Sequence, residues 1–145
     1  MTAPELDENS ELTVPALSKR AARRAIQRAF VLVGREKAIR QHLREIELTT
    51  LWVLEDWGLD WTVVADHGRL EFHRGRAGRA EITLIWPTAE AFFDQVVSGL
   101  AQNDSFEFSG DVASRRLLDP LLKSFTISLR QVLANPIDDD GERLW

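Results

Sequence analysis

The stretch DWTVVADHGRLEF, residues 60–72, decides the fold class of this chain. Its apolar residues recur at every second position on both sides of the tripeptide DHG, which is typical of a tight turn. Trp61 and Val63 precede the turn, and Leu70 and Phe72 follow it with the same period of two. The stretch therefore predicts an antiparallel hairpin with one apolar and one polar face.

Three more segments have the character of strands. The run LWVL, residues 51–54, is apolar on both faces, which predicts a strand inside a sheet. Ile82, Leu84 and Trp86 alternate with polar neighbours, and residues 106–108, FEF, alternate again. The two strands of the hairpin and the strand ending at Trp86 are predicted to form an antiparallel meander.

Segments with helical periodicity lie before, between and after these strands. Upstream lies a basic amphipathic helix in which Ile26 and Phe30 are predicted to pack inward. Thr88 is predicted to cap a helix after the fourth strand, and Asp111 to cap another after the fifth. Asp119-Pro120 is a good start for a separate last helix, so a break is expected there. The order predicts an α+β fold, with helices on one face of a mostly antiparallel five-stranded sheet.

The 145 residues suffice for one domain with its own core. We expect residues 1–14 to be a disordered acidic leader, residues 15–135 to be the domain, and residues 136–145 to be a solvated acidic tail. The chain has no cysteine, which excludes disulfides and thiolate chemistry. It has no apolar run of the length that a membrane span needs, so a cytoplasmic protein is expected.

Charge is distributed unevenly. Residues 19–44 hold nine basic residues and one acidic residue, although the whole chain carries a net charge of −5. Arg20, Arg24 and Arg28 recur every four residues and are predicted to be solvent-facing. A solvated helix face is the simplest explanation. An anionic membrane surface or a protein partner is the next, and nucleic acid comes third because the rest of the chain is acidic.

No catalytic, metal or cofactor site is expected. His42, His67 and His73 lack the spacing of a helical metal pair. Glu55 and Asp56 are adjacent on a predicted strand, so their side chains point to opposite faces and cannot act as a pair. The sequence contains neither G-x-S-x-G nor a glycine-rich phosphate loop. A buried Glu55 or Asp56 inside a pocket would reverse this expectation.

The predicted inner face is unusually rich in large rings. The strands contribute Trp52, Trp61, Phe72, Trp86, Phe106 and Phe108, and the helices contribute Phe92, Phe93 and Phe125. Such a set is most often an ordinary packed core, because most apolar residues only pack. The alternative is that sheet and helices leave a cavity between them, and the composition alone leaves both open.

The region from about Glu47 to Phe125 resembles the sterol carrier protein type-two domain. The resemblance rests on the hairpin DWTVVADHGRLEF and on AEITLIWPTAEAFFDQVVSG (80–99), a strand that leads into a helix. It also rests on SFEFSGD (105–111), a strand ending in Gly110-Asp111 before a leucine-rich helix. One departure is that the connection between Gly99 and Gly110 is shorter than in that family.

The resemblance implies binding or carriage of a lipid-like ligand, without covalent chemistry, in a cavity between sheet and helices. An accessory module of a lipid-related enzyme complex, with a collapsed cavity, is the alternative. The expected lining of the cavity is Trp61, Phe72, Trp86, Phe92, Val96, Phe106, Phe108, Leu118, Leu122 and Phe125.

Overall fold

The structure is a computed structural model that describes residues 17–76, 78–98 and 106–145, with the backbone alone for residues 95–98. The predicted leader and the short connection after Gly99 lie outside the described residues. The helices are α1 (Lys19–Arg35), α2 (Lys37–His42), α3 (Ala89–Ser98) and α4 (Val112–Ala134). The strands are β1 (Glu47–Leu54), β2 (Leu59–Asp66), β3 (Arg69–Arg74), β4 (Ile82–Trp86) and β5 (Glu107–Ser109).

The five strands form one mixed sheet in the order β3-β2-β1-β4-β5. Three of the four neighbouring pairs are antiparallel, whereas β1 and β4 are parallel. The predicted meander is therefore wrong at its last step, because β4 pairs with β1 and not with β3. The physical reason lies in β1: a strand that is apolar on both faces would be left at an edge if β4 followed β3.

The pairing register places the large side chains on one face. Trp52 lies opposite Trp61 on one side and Leu84 on the other, and Leu84 lies opposite Phe108. At the other edge of the sheet, Phe72 of β3 pairs with Val63 of β2, which is two residues from Trp61 and therefore on the same face. Because directly paired residues share a face, Phe72 and Phe108 lie on the same side, as the alternation predicts.

The burial of the strand residues agrees with this register. Arg69, Glu71, His73, Glu81 and Glu107 are exposed, as predicted, whereas Trp61, Ile82, Leu84 and Phe106 are buried. Phe72 and Phe108 are half-buried because they lie on β3 and β5, the two edge strands. The helices cover the aromatic face, and the predicted α+β class is confirmed.

Helix α4 runs without interruption through Pro120, so the predicted break at Asp119 is wrong. Proline inside a helix loses one backbone hydrogen bond and crowds the preceding turn. Here Leu118, Leu121 and Leu122 on either side are almost completely buried, and this packing offsets that cost. The start of α4 is as predicted, because Asp111 Oδ1 accepts a 2.6 Å hydrogen bond from the backbone N–H of Ser114.

The C-terminal segment, residues 136–145, folds back onto the domain. Ile137 and Arg143 form a β-bridge within it, and Leu144 and Trp145 pack against the core. Nη1 of Arg24 donates a 2.8 Å hydrogen bond to the carbonyl of Leu144. Asp139, Asp140 and Glu142 are exposed, as the acidic composition predicts, whereas Leu144 and Trp145 attach the end of the segment to the domain.

Gly110 occupies a position where a side chain would be crowded and its backbone strained. Its φ is +152°, and a Cβ there would lie 3.1 Å from both the carbonyl oxygen of Glu81 and Cγ1 of Ile82. We predict that Gly110→Ala lowers the free energy of unfolding by about 2 kcal/mol, through backbone strain and through this clash. Chemical denaturation measures the change.

Gly58→Ala is the matched control. Gly58 also has a positive φ, of +63°, but a Cβ there would meet nothing within 4 Å. Only the cost of the left-handed backbone remains, about 1 kcal/mol. Equal losses for the two variants would show that the close approach at Gly110 contributes nothing.

Candidate functional site

A small apolar cavity lies between the sheet and helices α1 and α3. Its volume is about 10 Å³, counted as the space open to the centre of a water molecule. By that measure one water molecule needs roughly 10–15 Å³, so the cavity has room for about one. The described residues that line it are all aliphatic or aromatic: Ile26, Phe30, Trp52, Val53, Leu54, Trp61, Trp86 and Phe92.

Aromatic rings in direct contact surround this cavity. The ring of Trp52 lies 5.1 Å from Phe30, 5.8 Å from Trp86 and 4.9 Å from Phe125, measured between centroids. Trp86 in turn lies 5.0 Å from Phe92, edge to face. All four separations fall in the range where aromatic pairs attract beyond simple burial. The cavity is therefore bounded by a connected aromatic layer and not by isolated side chains.

The tryptophans of the lining differ in their hydrogen bonds. Nε1 of Trp52 donates to Oγ1 of Thr50 at 2.8 Å, and that hydroxyl donates to the carbonyl of Val63 at 2.9 Å. Trp61 is just as deeply buried, at 2 % exposure, yet its Nε1 has no hydrogen-bond partner within the described part of the chain. Trp61 thus carries a buried donor that the described residues leave unsatisfied.

Three of the predicted lining residues, Trp61, Trp86 and Phe92, line the cavity. Phe106 and Phe125 form a second layer, since their rings lie 5.0 Å and 6.0 Å from Trp86 and Phe92 respectively. The other predicted residues are placed elsewhere. Leu118 and Leu122 are buried in the core, Phe72 and Phe108 lie half-buried at the two edges of the sheet, and the side chain of Val96 lies outside the described set.

The prediction missed five lining residues, which come from α1 and β1: Ile26, Phe30, Trp52, Val53 and Leu54. Helical spacing identifies Ile26 and Phe30 as inward-facing, but only as packing residues. What their sequence does not show is that α1 crosses the sheet above Trp52. One feature of the sequence could have indicated these residues. Trp52 is a large ring on a strand that is apolar on both faces, so it is expected inside the sheet, where a helix packs on it.

The guanidinium of Arg115 covers the β5 side of the aromatic layer. Its central carbon lies 5.1 Å from the ring centroids of both Phe106 and Phe108, a cation–π geometry. Its Nε also donates to Oδ1 of Asp119 at 3.0 Å. The two phenylalanines predicted to contact a ligand therefore contact a basic side chain at this end of the layer.

The carboxylates considered as a possible acid pair are not in the cavity. Glu55 and Asp56 are both exposed, in the turn after β1. Oδ1 of Asp56 accepts a 2.9 Å hydrogen bond from the backbone N–H of Ala89, and Thr88 accepts one from Ala91 at 3.0 Å. The side chains of Asp56 and Thr88 therefore satisfy the first turn of α3, and the predicted Thr88 cap is confirmed.

The basic face of α1 is largely occupied by the chain itself. Arg28 and Arg35 both bind the carboxylate of Asp139, at 2.9 Å and 2.7 Å. Arg24 binds the Leu144 carbonyl, and the side chain of Arg28 is only 16 % exposed. Of the three arginines predicted to face solvent, Arg20 is exposed and Arg24 and Arg28 are half-buried, whereas Ile26 and Phe30 pack inward as expected. Arg24 and Arg28 are less exposed than predicted because the C-terminal segment folds back onto them.

A second basic surface lies at α2 and the hairpin turn. Lys37, Arg40, Gln41, Arg44, His67 and Gly68 line a shallow groove of about 310 Å³. No ion pair is found for Lys37, Arg40 or Arg44 in residues 17–76, 78–94 and 106–145. At one side of the groove, Nδ1 of His67 lies 2.7 Å from Asp66, whose hydrogen bond raises the pKa of the imidazole. The groove therefore presents unpaired cations to solvent.

Glu47, Asp66 and His67 lie beside this groove with their potential ligand atoms within 4.8 Å of one another. The sequence predicted no metal site, and the three side chains are largely solvent-exposed. The pairing of His67 with two carboxylates accounts for their proximity. None of the helices in the described part of the chain is long and apolar enough to span a membrane.

Comparison with known proteins identifies the fold. No protein-family model matches the sequence, and no curated protein is significantly similar to it. Among solved structures, the chain is similar to a conserved hypothetical protein of Thermus thermophilus that is described as possibly a sterol carrier protein. The TM-score is 0.58 at 12% identity, over 83% of this chain and 94% of that one. The chain therefore has a sterol-carrier-like fold, as its sequence predicted.

Two further similarities are weaker. A ubiquinone synthesis protein, UbiJ-SCP2, matches with a TM-score of 0.45 at 14% identity, over 70% of this chain and 86% of that one. The inverting sec-alkylsulfatase Pisa1 from Pseudomonas sp. matches with a TM-score of 0.44 at 18% identity. That match covers 59% of this chain but only 13% of the sulfatase, so the similarity is limited to a small part of the length of that enzyme.

The contact between α1 and the C-terminal segment gives a pH-dependent prediction. Hydrogen bonds from Arg35 and Arg28 hold the pKa of the Asp139 carboxyl well below its usual range. A depressed carboxyl pKa stabilises the fold above the unfolded value of about 4, and that stability is lost as the pH falls further. We predict that Asp139→Asn lowers the melting temperature at pH 7, and that its difference from wild type shrinks below about pH 4.

Asp140→Asn is the control, because it removes the same charge from the same segment. Asp140 is exposed and its side chain has no ion pair with the described residues. Thermal melts followed by circular dichroism from neutral pH into the acid range compare the three proteins. If the two variants melt alike at neutral pH, the Asp139 contacts do not stabilise the fold.

Proposed function

We propose that this chain binds an apolar, lipid-like molecule between its sheet and helices, without catalysing a reaction. The observation that supports this most directly is the apolar cavity in contact with α1, α3 and three strands. The cavity lies where two helices meet the aromatic face of the sheet. The helices can separate from the sheet at this place without breaking hydrogen bonds between strands. Burial of apolar ligand surface there would contribute about 25 cal/mol per Å², less the cost of association.

A lipid needs more room than this cavity offers, since it has space for about one water molecule. We propose that the chain has a closed and an open form and that this structure is the closed one. We propose that α3 moves during opening, because it is a short helix of ten residues and Phe92 is its one lining residue among the side chains that the structure describes. The ligand would then shift the population toward the open form by the ratio of its affinities for the open and closed forms.

The absence of chemistry is part of the proposal. General acid–base or nucleophilic catalysis needs a titratable or nucleophilic side chain within hydrogen-bond reach of the substrate. Among the residues that the structure describes, the eight that line the cavity are aliphatic or aromatic, and Glu55 and Asp56 are solvent-exposed groups in a turn outside it. A molecule held here would be bound and released unchanged.

The small volume of the cavity favours one alternative, an interaction module whose interior stays closed. In that case the aromatic layer is a fully packed core, and partners bind on the outer surface. The two functions differ in whether apolar molecules copurify with the protein. Mass spectrometry of lipid extracts and of the native protein distinguishes a ligand-carrying chain from a closed module.

We also propose that the groove at α2 contacts an anionic membrane surface from which the ligand is taken. The sequence predicted this contact at Arg20, Arg24 and Arg28, but Arg24 and Arg28 bind the C-terminal segment. The proposed membrane contact therefore consists of the unpaired cations of the groove together with Arg20. Basic side chains near an anionic bilayer contribute about 1 kcal/mol each. Nucleic acid would use the same charges and is the alternative partner.

The cavity can be tested with a matched pair of adjacent phenylalanines. Phe92 lines the cavity, whereas Phe93 is equally buried but packs beside Trp57, outside the lining. We predict that Phe92→Leu and Phe93→Leu lower stability similarly, by about 1 kcal/mol. Only Phe92→Leu should change the affinity for palmitate, palmitoyl-CoA, cholesterol or farnesol, whichever the wild type binds.

Tryptophan fluorescence and the shift of the melting temperature report this binding, because three tryptophans line the cavity. A change of affinity in Phe92→Leu alone supports the site between sheet and helices. If none of the four compounds alters fluorescence or melting temperature of the wild type, the closed-module function takes the place of the carrier function.

The membrane contact is tested by reversing three charges. We predict that replacing Lys37, Arg40 and Arg44 with glutamate abolishes sedimentation with vesicles containing phosphatidylserine at low salt, because the vesicles are anionic. A control with the same net charge replaces Arg74, Arg79 and Arg130, which are exposed elsewhere on the chain. Equal loss in both variants, or stronger retention of the wild type on DNA, would contradict the proposal.

A further inference from the structure

The groove at α2 lies between two elements whose backbones are hydrogen-bonded to each other. The backbone N–H of Gly68 donates to the carbonyl of Leu43 at 2.7 Å, and that of His67 donates to the carbonyl of Ile46 at 2.9 Å. Gly68 has a φ of +92°, and a Cβ there would lie only 3.4 Å from the carbonyl oxygen of Arg40. The hairpin turn therefore forms one wall of the groove, and α2 with the turn after it forms the other.

The cations of the groove lie close together along the chain. Lys37 and Arg40 belong to α2, and Arg44 follows in the turn after it, at spacings of three and four residues that place side chains on one helical face. All three side chains are exposed. Like charges held on one face repel one another, so an anion that contacts several of them at once is bound favourably.

Two carboxylates beside the groove are paired with its histidine. Nδ1 of His67 lies 2.7 Å from Oδ1 of Asp66 and 3.7 Å from Oε2 of Glu47. The hydrogen bond with Asp66 raises the pKa of the imidazole, and the charge of Glu45 adds to that effect. These acidic groups therefore favour a charged His67, and within the described part of the chain they form no ion pair with the three cations.

The shape and chemistry of the groove favour one kind of anion. Its volume of about 310 Å³ gives it the concavity to receive a group that projects from a bilayer. Guanidinium groups bind phosphate through two parallel N–H···O hydrogen bonds, and lysine adds a point charge. A terminal phosphate offers three strong acceptor oxygens and a charge between −1 and −2, which suits a site with two arginines and one lysine.

We infer that the groove at α2 recognises a terminal phosphate, the phosphate monoester headgroup of a lipid such as phosphatidic acid. The inference rests on the proposed membrane contact and names the headgroup. Phosphatidylserine is a weaker ligand, because its phosphate is esterified on both sides and its headgroup carries an ammonium that the cations repel. The groove therefore distinguishes between headgroups and does not only respond to the charge of the surface.

The test compares vesicles of phosphatidylcholine that contain phosphatidic acid or phosphatidylserine, at mole fractions that give equal surface potential. The wild type should bind the phosphatidic acid vesicles about tenfold more tightly in sedimentation, the ratio expected for one net hydrogen bond to a charged group. Equal affinity for the two would overturn the inference and leave the membrane contact standing. Binding to neither would refute the membrane contact, and the inference with it.

A double variant separates hydrogen-bond geometry from charge. Arg40→Lys with Arg44→Lys keeps every positive charge but removes both guanidinium groups. It should lose most of the preference for phosphatidic acid while its binding to phosphatidylserine vesicles stays unchanged. The control replaces Arg74 and Arg130, which are exposed elsewhere, with lysine and should keep the tenfold preference. A preference that persists in the groove variant would contradict recognition by the two arginines.

A soluble phosphate monoester offers the same chemistry as the lipid headgroup, and glycerol 3-phosphate distinguishes the two sources. In excess, it should release the wild type from phosphatidic acid vesicles more effectively than sodium chloride at the same ionic strength. Backbone amide resonances of the groove residues report whether it binds in the absence of vesicles. If it binds there while the vesicles show no preference for phosphatidic acid, the groove is a site for a free phosphate and the inference of a lipid headgroup is wrong.

Discussion

The ring of Trp52 is in contact with nearly every layer of this domain, and the central place of β1 puts it there. β1 pairs with β2 on one side and with β4 on the other, so its side chains are sheltered on both flanks. From that position Trp52 touches Phe30 of α1, Trp86 of β4 and Phe125 of α4. Sheet, first helix and last helix are therefore assembled around one indole. The parallel pairing of β1 with β4 is what allows this, since it closes the second flank of β1.

The charge asymmetry of the chain also has a structural meaning. The acidic C-terminal segment binds the basic helix α1 through Asp139, which pairs with both Arg28 and Arg35. Ion pairs near the surface contribute modestly to stability, and these two also position the segment against α1. Within the part of the chain that the structure describes, the cations of the groove at α2 are left without such a pairing. A contact between distant segments thus decides which of the chain's basic residues remain available.

The interior combines dense aromatic packing with a cavity of about 10 Å³, and both features matter for the proposed function. The carrier function requires the layers around this cavity to separate, because a lipid needs far more space than one water molecule occupies. The same geometry also explains why the sterol-carrier-like fold alone does not identify the ligand, since the wall of the cavity depends on the side chains of this sequence.

The sequence by itself determined the local features: the faces of the strands, the hairpin turn, the caps at Thr88 and Asp111, and the inward packing of Ile26 and Phe30. These follow from periodicity and from interactions within a few residues, which are readable along the chain. It also indicated much of the aromatic layer, because large apolar residues on one strand face must be buried together.

Only the tertiary structure decided the pairing of β4 with β1, the continuity of α4 through Pro120 and the return of the C-terminal segment. Each depends on contacts between residues far apart in sequence, whose energies compete with the local preferences. The same holds for the site: whether Trp61 finds an acceptor, and how much space remains beside it, depends on how α1 and α3 lie across the sheet. Periodicity shows which way a side chain faces, but the fit between packed layers decides what it meets.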